Sequence, residues 1–173
     1  PDGKGRRISI RPTHQLGDRP LRFNWMTPIL LSRHHQDVFY YGANRFYRSL
    51  NKGEKLEALS GDLTNGYVAG NVPYGTITTI AESPLKFGLL YVGTDDGNLH
   101  ISKDGGYTWT KISDKLPQKL WVSKIAPSKY AEGRVYATLT GYRYDNFAPY
   151  LFVSEDYGGS WQPLGKDLPL EPL

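Results

Sequence analysis

Two closely similar eight-residue segments constrain the fold of this chain more than any other feature. Residues 102–109 read SKDGGYTW and residues 154–161 read SEDYGGSW, so both match S-x-D-x-G-x-[ST]-W. A degenerate third copy, SLNKGEKL, covers residues 49–56, with Asn51 in place of Asp and Leu56 in place of Trp. The first residues of the three copies lie 53 and 52 positions apart, a spacing typical of solenoids, propellers and arrays. We therefore interpret the chain as a repeat protein.

The repeated positions have the chemistry of a tight turn that leads into a strand. A short Asp or Asn side chain accepts hydrogen bonds from nearby backbone amides, and Gly supplies a positive φ. A Ser or Thr hydroxyl ties the ends of the turn together, and a Trp places a large apolar side chain in the core. We predict that these residues hold hairpins rather than catalyse a reaction, and that both Trp side chains are buried. The turn residues are Ser102, Asp104, Gly106, Thr108 and Trp109, and Ser154, Asp156, Gly158, Ser160 and Trp161.

Short apolar segments recur in the same order around each turn, and none has the period of a helix. The predicted strands are 27–32, 38–42, 45–49 and 56–59, then 76–81, 89–94, 98–102 and 109–112, then 122–126, 134–140, 150–154 and 161–164. The alternating segment GRRISIRP, residues 5–12, predicts one further strand before the first repeat.

Repeated four-stranded antiparallel units are what a propeller is built from, because radial repetition hides most strand edges. We predict an all-β fold, a partial β-propeller of three four-stranded blades with one extra N-terminal strand. Propellers have about 4 to 8 blades, so we expect a larger propeller, completed by a longer parent chain or a partner subunit, and an exposed apolar flank. A small closed barrel is the alternative. The predicted units are 1–20 (outer strand of a preceding blade and linker), 21–74 (degenerate turn), 75–119, and 120–173 (long inserted loop).

Composition excludes several classes of protein. The chain has no cysteine, so disulfides and thiolate metal sites are absent, and it has no apolar run near the about 18 residues of a membrane span. Pro1 indicates a processed chain or a fragment. The net charge of +4 is concentrated near the N-terminus, but the rest of the chain mixes both signs. We therefore expect a solvated, edge-protecting strand there and no nucleic-acid partner.

The repeated turns resemble the Asp-box, or BNR repeat, of sialidase-like propellers. Longer segments, including residues 22–32, 40–49, 80–109 and 147–161, resemble the large sortilin-type, BNR-like bacterial proteins labelled glycosyl hydrolases. The resemblance implies a large extracytoplasmic propeller, whether secreted, periplasmic or on the cell surface. It does not imply an activity, because a fold does not determine function. The chain lacks a match to the arginine triad of sialidases and to the cysteine-rich modules of sortilin-type receptors.

In a four-stranded meander, the loops between second and third strands share one face with the linkers between blades, and we expect recognition there. Aromatic side chains on this face suit stacking on sugar rings or anchoring a peptide, although they equally suit packing of the inserted loop 141–149. The predicted ligand-binding residues are Asn44, Arg45, Trp121, Tyr142, Arg143, Tyr144 and Phe147. Asp95 or Asp96 with Asp145 is the weak candidate for an acid/base pair, which would need carboxyl groups about 5 to 10 Å apart.

The sequence shows no cofactor motif. His34 and His35 with Asp37 are potential metal ligands, but adjacent histidines in an extended loop point apart, so we expect no metal site. Our leading hypothesis is a non-catalytic propeller segment that binds a protein or glycan partner within a larger extracytoplasmic assembly. The alternative is a sialidase-like, Asp-box glycoside hydrolase fragment that uses a pair of carboxylates. We leave open whether the chain is part of an enzyme.

Overall fold

The chain folds into three separate four-stranded antiparallel sheets. The computed structural model describes residues 9–68 and 74–171. We call the sheets blades 1, 2 and 3, and in each one the strands are paired in the order of the sequence. Blade 1 consists of β1 (Ile29–Leu31), β2 (Phe39–Gly42), β3 (Phe46–Ser49) and β4 (Glu57–Ala58). Blade 2 consists of β5 (Ile77–Glu82), β6 (Leu90–Thr94), β7 (Leu99–Ser102) and β8 (Thr110–Lys111). Blade 3 consists of β9 (Trp121–Pro127), β10 (Val135–Gly141), β11 (Asn146–Ser154) and β12 (Gln162–Pro163).

The predicted all-β class and the three four-stranded units are confirmed, whereas the predicted long loop of blade 3 is wrong in its extent. β10 and β11 continue to pair as far as Gly141 with Asn146, so the loop is reduced to a short 3₁₀ turn, Tyr142–Tyr144, and Asp145. A register shift between Leu139 and Gly141 lets this hairpin extend. This 3₁₀ turn is the only helical element in the described ranges, which therefore contain no helix long and apolar enough to cross a bilayer.

The turn at 102–109 shows how its residues hold the chain. Ser102 Oγ donates to Asp104 Oδ1 at 2.8 Å and accepts the backbone N–H of Gly106 at 2.8 Å. Asp104 also accepts the backbone N–H of Thr108 at 2.9 Å and its hydroxyl at 2.6 Å. Gly106 has φ +102°, a conformation that other L-residues rarely adopt. One carboxylate thus closes the whole turn.

The other two turns have the same hydrogen-bond network. We call the segments 49–56, 102–109 and 154–161 the repeat turns. In blade 3 the network runs between Ser154, Asp156, Gly158 and Ser160, at 2.7 to 2.8 Å. In blade 1 it runs between Ser49, Asn51, Gly53 and Lys55, at 2.9 to 3.0 Å. The Asn amide oxygen replaces one carboxylate oxygen, which explains why the degenerate copy still folds as a turn.

The two Trp side chains of the repeat turns are partly buried, which corrects the prediction of full burial. Each indole lies at the rim of the interface with the preceding blade. Trp109 donates its Nε1–H to Gly106 O at 2.8 Å and to Leu59 O of blade 1 at 3.3 Å. Trp161 donates to Ile112 O of blade 2 at 2.9 Å. A backbone acceptor in the neighbouring blade therefore fixes each ring while one edge stays in water.

Apolar side chains on alternate sides of the strands build the interfaces between blades. In β6, Leu90 and Val92 pack in the core between blades 1 and 2, whereas Tyr91 packs in the core between blades 2 and 3. Successive side chains of a strand point to opposite faces, so a central blade is apolar on both. Blade 2 is therefore buried between its two neighbours.

The outer faces of blades 1 and 3 differ. In blade 1, an aromatic cluster that includes Phe39 and Tyr41 is covered by Ile10, Leu21 and Phe23 from the N-terminal segment. The first half of the predicted strand at 5–12 lies outside the described residues, and the second half, 9–12, is not in a strand. In blade 3, Tyr136 and Leu151 are half-buried and Leu164 is exposed.

Candidate functional site

The loops of each blade separate onto two faces. On one face, the repeat turns bond to the loops between first and second strands, as Gly105 N–H does to Gly88 O at 2.9 Å and Tyr157 N–H to Gly133 O at 2.8 Å. On the other, the linkers between blades meet the loops between second and third strands. We call this second surface the loop face and define it by the segments 64–68, 95–97, 118–121 and 142–145.

Asp95 is buried in the loop face and all of its visible contacts are structural. Its carboxylate accepts the backbone N–H of Tyr74 at 2.7 Å, the backbone N–H of Thr76 at 2.8 Å and the hydroxyl of Thr76 at 3.1 Å. The side chain is 1% exposed. These bonds attach the linker that enters β5 to the loop between β6 and β7, so the geometry favours a turn-holding role for Asp95.

Asp96 also anchors a linker, but it borders a cavity. Oδ1 accepts the hydroxyl of Thr94 at 2.5 Å and Oδ2 accepts the backbone N–H of Asn65 at 2.7 Å. Burial raises the pKa of this carboxyl above its usual range, and the negative charge of Asp95 adds to the effect, against the lowering by these hydrogen bonds. Asp96 thus holds the linker through Asn65 while its side chain also lines the cavity.

Asp145, the predicted acid/base partner of Asp95 or Asp96, has a different environment. It follows the 3₁₀ turn in the left-handed conformation, with φ 55°, and its backbone N–H donates to Tyr142 O at 3.2 Å. Its side chain is exposed. The pairing of Asp145 with Asp95 or Asp96 stays a prediction. The Asp145 side chain lies in water, whereas the carboxylates of Asp95 and Asp96 already accept hydrogen bonds from backbone N–H groups.

Three of the predicted ligand-binding residues form one cluster. The Arg143 guanidinium carbon lies 4.5 Å from the ring centre of Trp121 and 5.5 Å from that of Tyr142. Arg143 Nε–H also donates to Tyr142 Oη at 2.9 Å. Such stacking favours a fixed guanidinium because the ring faces are electron-rich. The cluster joins the start of β9 to the turn between β10 and β11.

Two neighbouring cavities lie on the loop face, and this cluster lines the smaller one. The larger has a volume of about 500 Å³ and is lined by Asn65, Val68, Asp96, Gln118, Lys119, Leu120 and Tyr144. The smaller has a volume of about 220 Å³ and is lined by Asn24, Met26, Thr78, Trp121, Ser123, Thr140, Tyr142 and Arg143. They are neighbours because Leu120 and Trp121 are consecutive and the 3₁₀ turn contributes to both. Aromatic and polar side chains thus line both cavities, as in many small-molecule sites.

Asn44 and Arg45 lie in a different cluster, which is held together by Arg22. Asn44 is buried, accepts the backbone N–H of Arg22 at 3.1 Å and donates to Asp62 Oδ2 at 3.0 Å. Arg22 forms an ion pair with Asp62 at 2.6 Å. Arg45 pairs with Asp18 at 4.0 Å. The side-chain amide of Asn44 is thereby committed to binding the N-terminal segment to blade 1.

Phe147, the remaining predicted ligand-binding residue, is exposed on β11 next to the register shift of the hairpin. Sequence reasoning also missed several cavity residues. Asn24, Thr78 and Thr140 carry no motif, and only the folded strands reveal that they meet. Gln118 and Lys119 belong to the linker 113–121, which was expected on this face as a segment.

Three of the four histidines in the described ranges contact the backbone. His34 Nε2 lies 2.8 Å from Ser83 O, and His35 Nδ1 accepts the backbone N–H of Asp37 at 3.2 Å. His100 Nε2 lies 2.8 Å from Leu63 O, and burial lowers the pKa of its imidazole. Residues 9–68 and 74–171 contain no group of three or more His, Cys, Asp or Glu side chains placed to hold a metal ion.

Comparison with known proteins gives structural similarity only. No protein-family model matches the sequence, and no curated protein is similar to it in sequence. The chain is similar in structure to an ancestral GH74 enzyme, with a TM-score of 0.61 and 22% identity over 83% of this chain and 18% of that one. It is also similar to the GH74 xyloglucanase of Xanthomonas campestris, with a TM-score of 0.60 and 18% identity over 82% of this chain and 22% of that one.

YCF48, solved bound to a D1 peptide, is similar with a TM-score of 0.52 and 14% identity over 90% of this chain and 43% of that one. The chain thus spans about a fifth of the length of the GH74 structures that it matches. At these identities the similarity shows the fold alone. The three sheets are a partial β-propeller.

Proposed function

We propose that this chain is a non-catalytic part of a β-propeller that presents its loop face to a glycan or protein partner within a larger extracytoplasmic assembly. The observation that carries the proposal is the pair of adjoining cavities around the Trp121 and Arg143 cluster. Asp95 and Asp96, in contrast, hold backbone segments. The loop face is thus better equipped to bind than to catalyse.

The similar networks of the repeat turns support the assignment of these turns as Asp-boxes. On that basis we propose that the chain is related to the sortilin-type, BNR-like proteins, and an extracytoplasmic location follows from that relationship.

A further part of the proposal is that other blades flank these three. In blade 2, Tyr91, Leu99 and Ile101 are buried under blade 3. The equivalent positions of blade 3 are Tyr136, Leu151 and Val153, which face away from blade 2. A following blade of the same kind would bury them, and Leu164 O would accept its Trp indole N–H as Ile112 O does from Trp161.

The N-terminal segment supports the same arrangement on the other flank. A Cβ on Gly53 would lie 2.9 Å from Ile10, just as one on Gly106 would lie 3.1 Å from Leu59 of the preceding blade. Ile10 thus occupies the position that the end of a preceding blade would take. This packing supports the assignment of residues 1–20 to a preceding blade and its linker.

Binding through the loop face is tested with aromatic variants. Trp121→Ala and Tyr144→Ala should each weaken retention on immobilised polysaccharides or captured peptides, and Tyr130→Ala should not. Tyr130 is a suitable control because it is 79% exposed and lies on the opposite face, between β9 and β10. Retention that is unchanged in both loop-face variants would refute the proposal.

The second candidate function is a glycoside hydrolase that uses Asp145 with Asp95 or Asp96. The structural similarity to GH74 enzymes motivates it. Release of reducing sugar by the assembled protein, abolished in Asp145→Asn but not in Asp167→Asn, would support this candidate. Hydrolysis that persists in Asp145→Asn would eliminate Asp145 from the reaction.

A further inference from the structure

Irregularities in three strands meet at the smaller cavity of the loop face. The ladder between β5 and β6 shifts register between Ile77 and Thr79, which leaves Thr78 without a paired residue. The ladder between β9 and β10 shifts register between Thr138 and Leu139, at the level of Ser123, and that between β10 and β11 shifts register between Leu139 and Gly141, on either side of Thr140. All three displaced residues carry hydroxyl groups and line the cavity. Bulges are frequent next to binding sites because they redirect a side chain.

Arg143 brings a fixed positive charge to the same cavity. Its Nε–H bonds to Tyr142 Oη, and its guanidinium carbon lies 4.5 Å from the ring centre of Trp121, so two neighbours position the guanidinium. None of the ion pairs found in the described ranges involves Arg143. Its terminal N–H groups are therefore available to a ligand, and a guanidinium pairs best with a carboxylate or phosphate.

Thr140 adds a polar group that the protein does not satisfy. The residue is only 9% exposed, and its Oγ1 is buried without a hydrogen-bond partner in the protein. A buried hydroxyl without a partner costs free energy, so the site favours a ligand that offers one. Met26 and Tyr142, which are 79% and 47% exposed, give the mouth an apolar wall.

We propose that the smaller cavity binds one acidic sugar unit, a uronic acid within a longer glycan. The guanidinium of Arg143 binds the carboxylate, Thr140 Oγ1 bonds a ring hydroxyl, and Met26 and Tyr142 contact the C–H face of the ring. The volume of about 220 Å³ is below the about 300–1,000 Å³ of sites for whole small molecules, so the cavity accommodates one unit of a polymer. The adjoining cavity receives the next units. This inference rests on the proposed binding function and names its ligand class.

The test compares hexagalacturonate with its full methyl ester by titration calorimetry. The ester keeps the sugar rings and removes the negative charge. The wild-type protein should bind the acid about tenfold more tightly than the ester, the size expected for one charge-assisted contact. Arg143→Met should reduce binding of the acid to the level of the ester and leave the ester unchanged. Thr140→Val should weaken both about fivefold.

Arg33→Met serves as the matched control, because Arg33 is an exposed arginine between β1 and β2, on the face of the repeat turns. It should bind like wild type. Urea unfolding of each variant confirms that the fold is kept. Equal affinity for acid and ester, or binding of the acid that Arg143→Met does not alter, would overturn the inference. If a neutral glycan or a peptide is then still retained through Trp121 and Tyr144, the proposed function stands without it. If no ligand depends on these aromatics, both fail.

Discussion

The ionised carboxylates of Asp104 and Asp156 stabilise two of the repeat turns. The hydroxyl and backbone N–H of Thr108 hold the pKa of Asp104 at about 2, and those of Ser160, with the Ser154 hydroxyl, hold that of Asp156 at about 2. An unfolded Asp titrates near about 3.9. Because the folded pKa is the lower one, the turns contribute stability above the unfolded pKa and lose it as pH falls towards 2.

The urea midpoint of the wild-type protein should therefore decrease between about pH 4 and pH 2. Asp104→Asn should show a shallower decrease, since an amide does not titrate in this range, and it still accepts a hydrogen bond as Asn51 does in blade 1. Asp167→Asn, an exposed position outside the repeat turns, is the control. A slope in Asp104→Asn as steep as in wild type would contradict this role of the carboxylate.

Trp109 links a repeat turn to the preceding blade. Its ring centre lies 4.9 Å from that of Phe46 at an angle of 62°, and its indole N–H bonds to the backbone of both blades. Trp109→Ala should lower the free energy of unfolding by about 3 kcal/mol, the low end for a large aromatic because the ring is partly exposed. Trp109→Phe keeps the ring contact and should cost less. Denaturant unfolding measures both, and a loss below about 1 kcal/mol in Trp109→Ala would argue against the ring as a contact between blades.

At the scale of elements, Glu82 joins the first two blades. At the end of β5, its Oε1 accepts the hydroxyl of Tyr40 at 2.7 Å, and Oε2 accepts that of Ser32 at 2.8 Å. Oε2 also accepts the backbone N–H of Arg33 at 3.2 Å, and the residue is 5% exposed. Burial is the main cause of the raised pKa of Tyr40, and the Glu82 carboxylate adds to it, so the phenol stays a donor at neutral pH.

Substitution of Glu82 should measure how much its hydrogen bonds stabilise the contact between blades 1 and 2. Glu82→Leu should lower the free energy of unfolding by about 1–3 kcal/mol, because three donors of blade 1 are left in a buried site without an acceptor. A double-mutant cycle of Glu82→Gln with Tyr40→Phe should give a coupling energy of about 1 kcal/mol. Purely additive effects in the cycle would mean that the two side chains do not stabilise each other.

The elements of the fold were predictable because each blade repeats a local pattern. Alternating apolar residues and the turn residues Ser102, Asp104 and Gly106 act over a few positions. The twelve strands of the blades therefore overlap the predicted segments, and the three repeat turns lie where the sequence predicted them. The extent of β11 was not predictable, because pairing of Gly141 with Asn146 depends on a register shift that no local pattern encodes.

Predictability of the candidate site was uneven for the same reason. Trp121, Tyr142, Arg143 and Tyr144 were identified because topology puts their loops on one face. Asn44 was placed with them by topology as well, yet its amide bonds to Arg22 and Asp62, an arrangement that depends on the path of the N-terminal segment. Thr140 was missed, because its position follows from a bulge and not from its neighbours in sequence.

At the scale of the whole molecule, we expect the exposed outer face of blade 3 to cause self-association. Tyr136 and Leu151 are half-buried there, and an apolar sheet face of this kind favours association. The three blades alone should show a concentration-dependent mass in sedimentation velocity, and Tyr136→Lys with Leu151→Glu should reduce it to that of a monomer. The same two substitutions in a longer form with a following blade should destabilise the fold.

A monomer at all concentrations without substitution would contradict the proposed further blade on this side. Denaturant unfolding of the three blades alone provides the control. Both substitutions should change the free energy of unfolding little, because both side chains contact water.

The indole contacts between blades have a direction along the chain. Trp109 and Trp161 each donate to a carbonyl of the blade before them, at Leu59 and Ile112, and Gly53 packs against Ile10 in the same sense. The indole of each nascent blade therefore finds its acceptor already made when that blade leaves the ribosome. Consolidation can follow translation from the first blade onward, so that long arrays of this type can mature in the order of their synthesis.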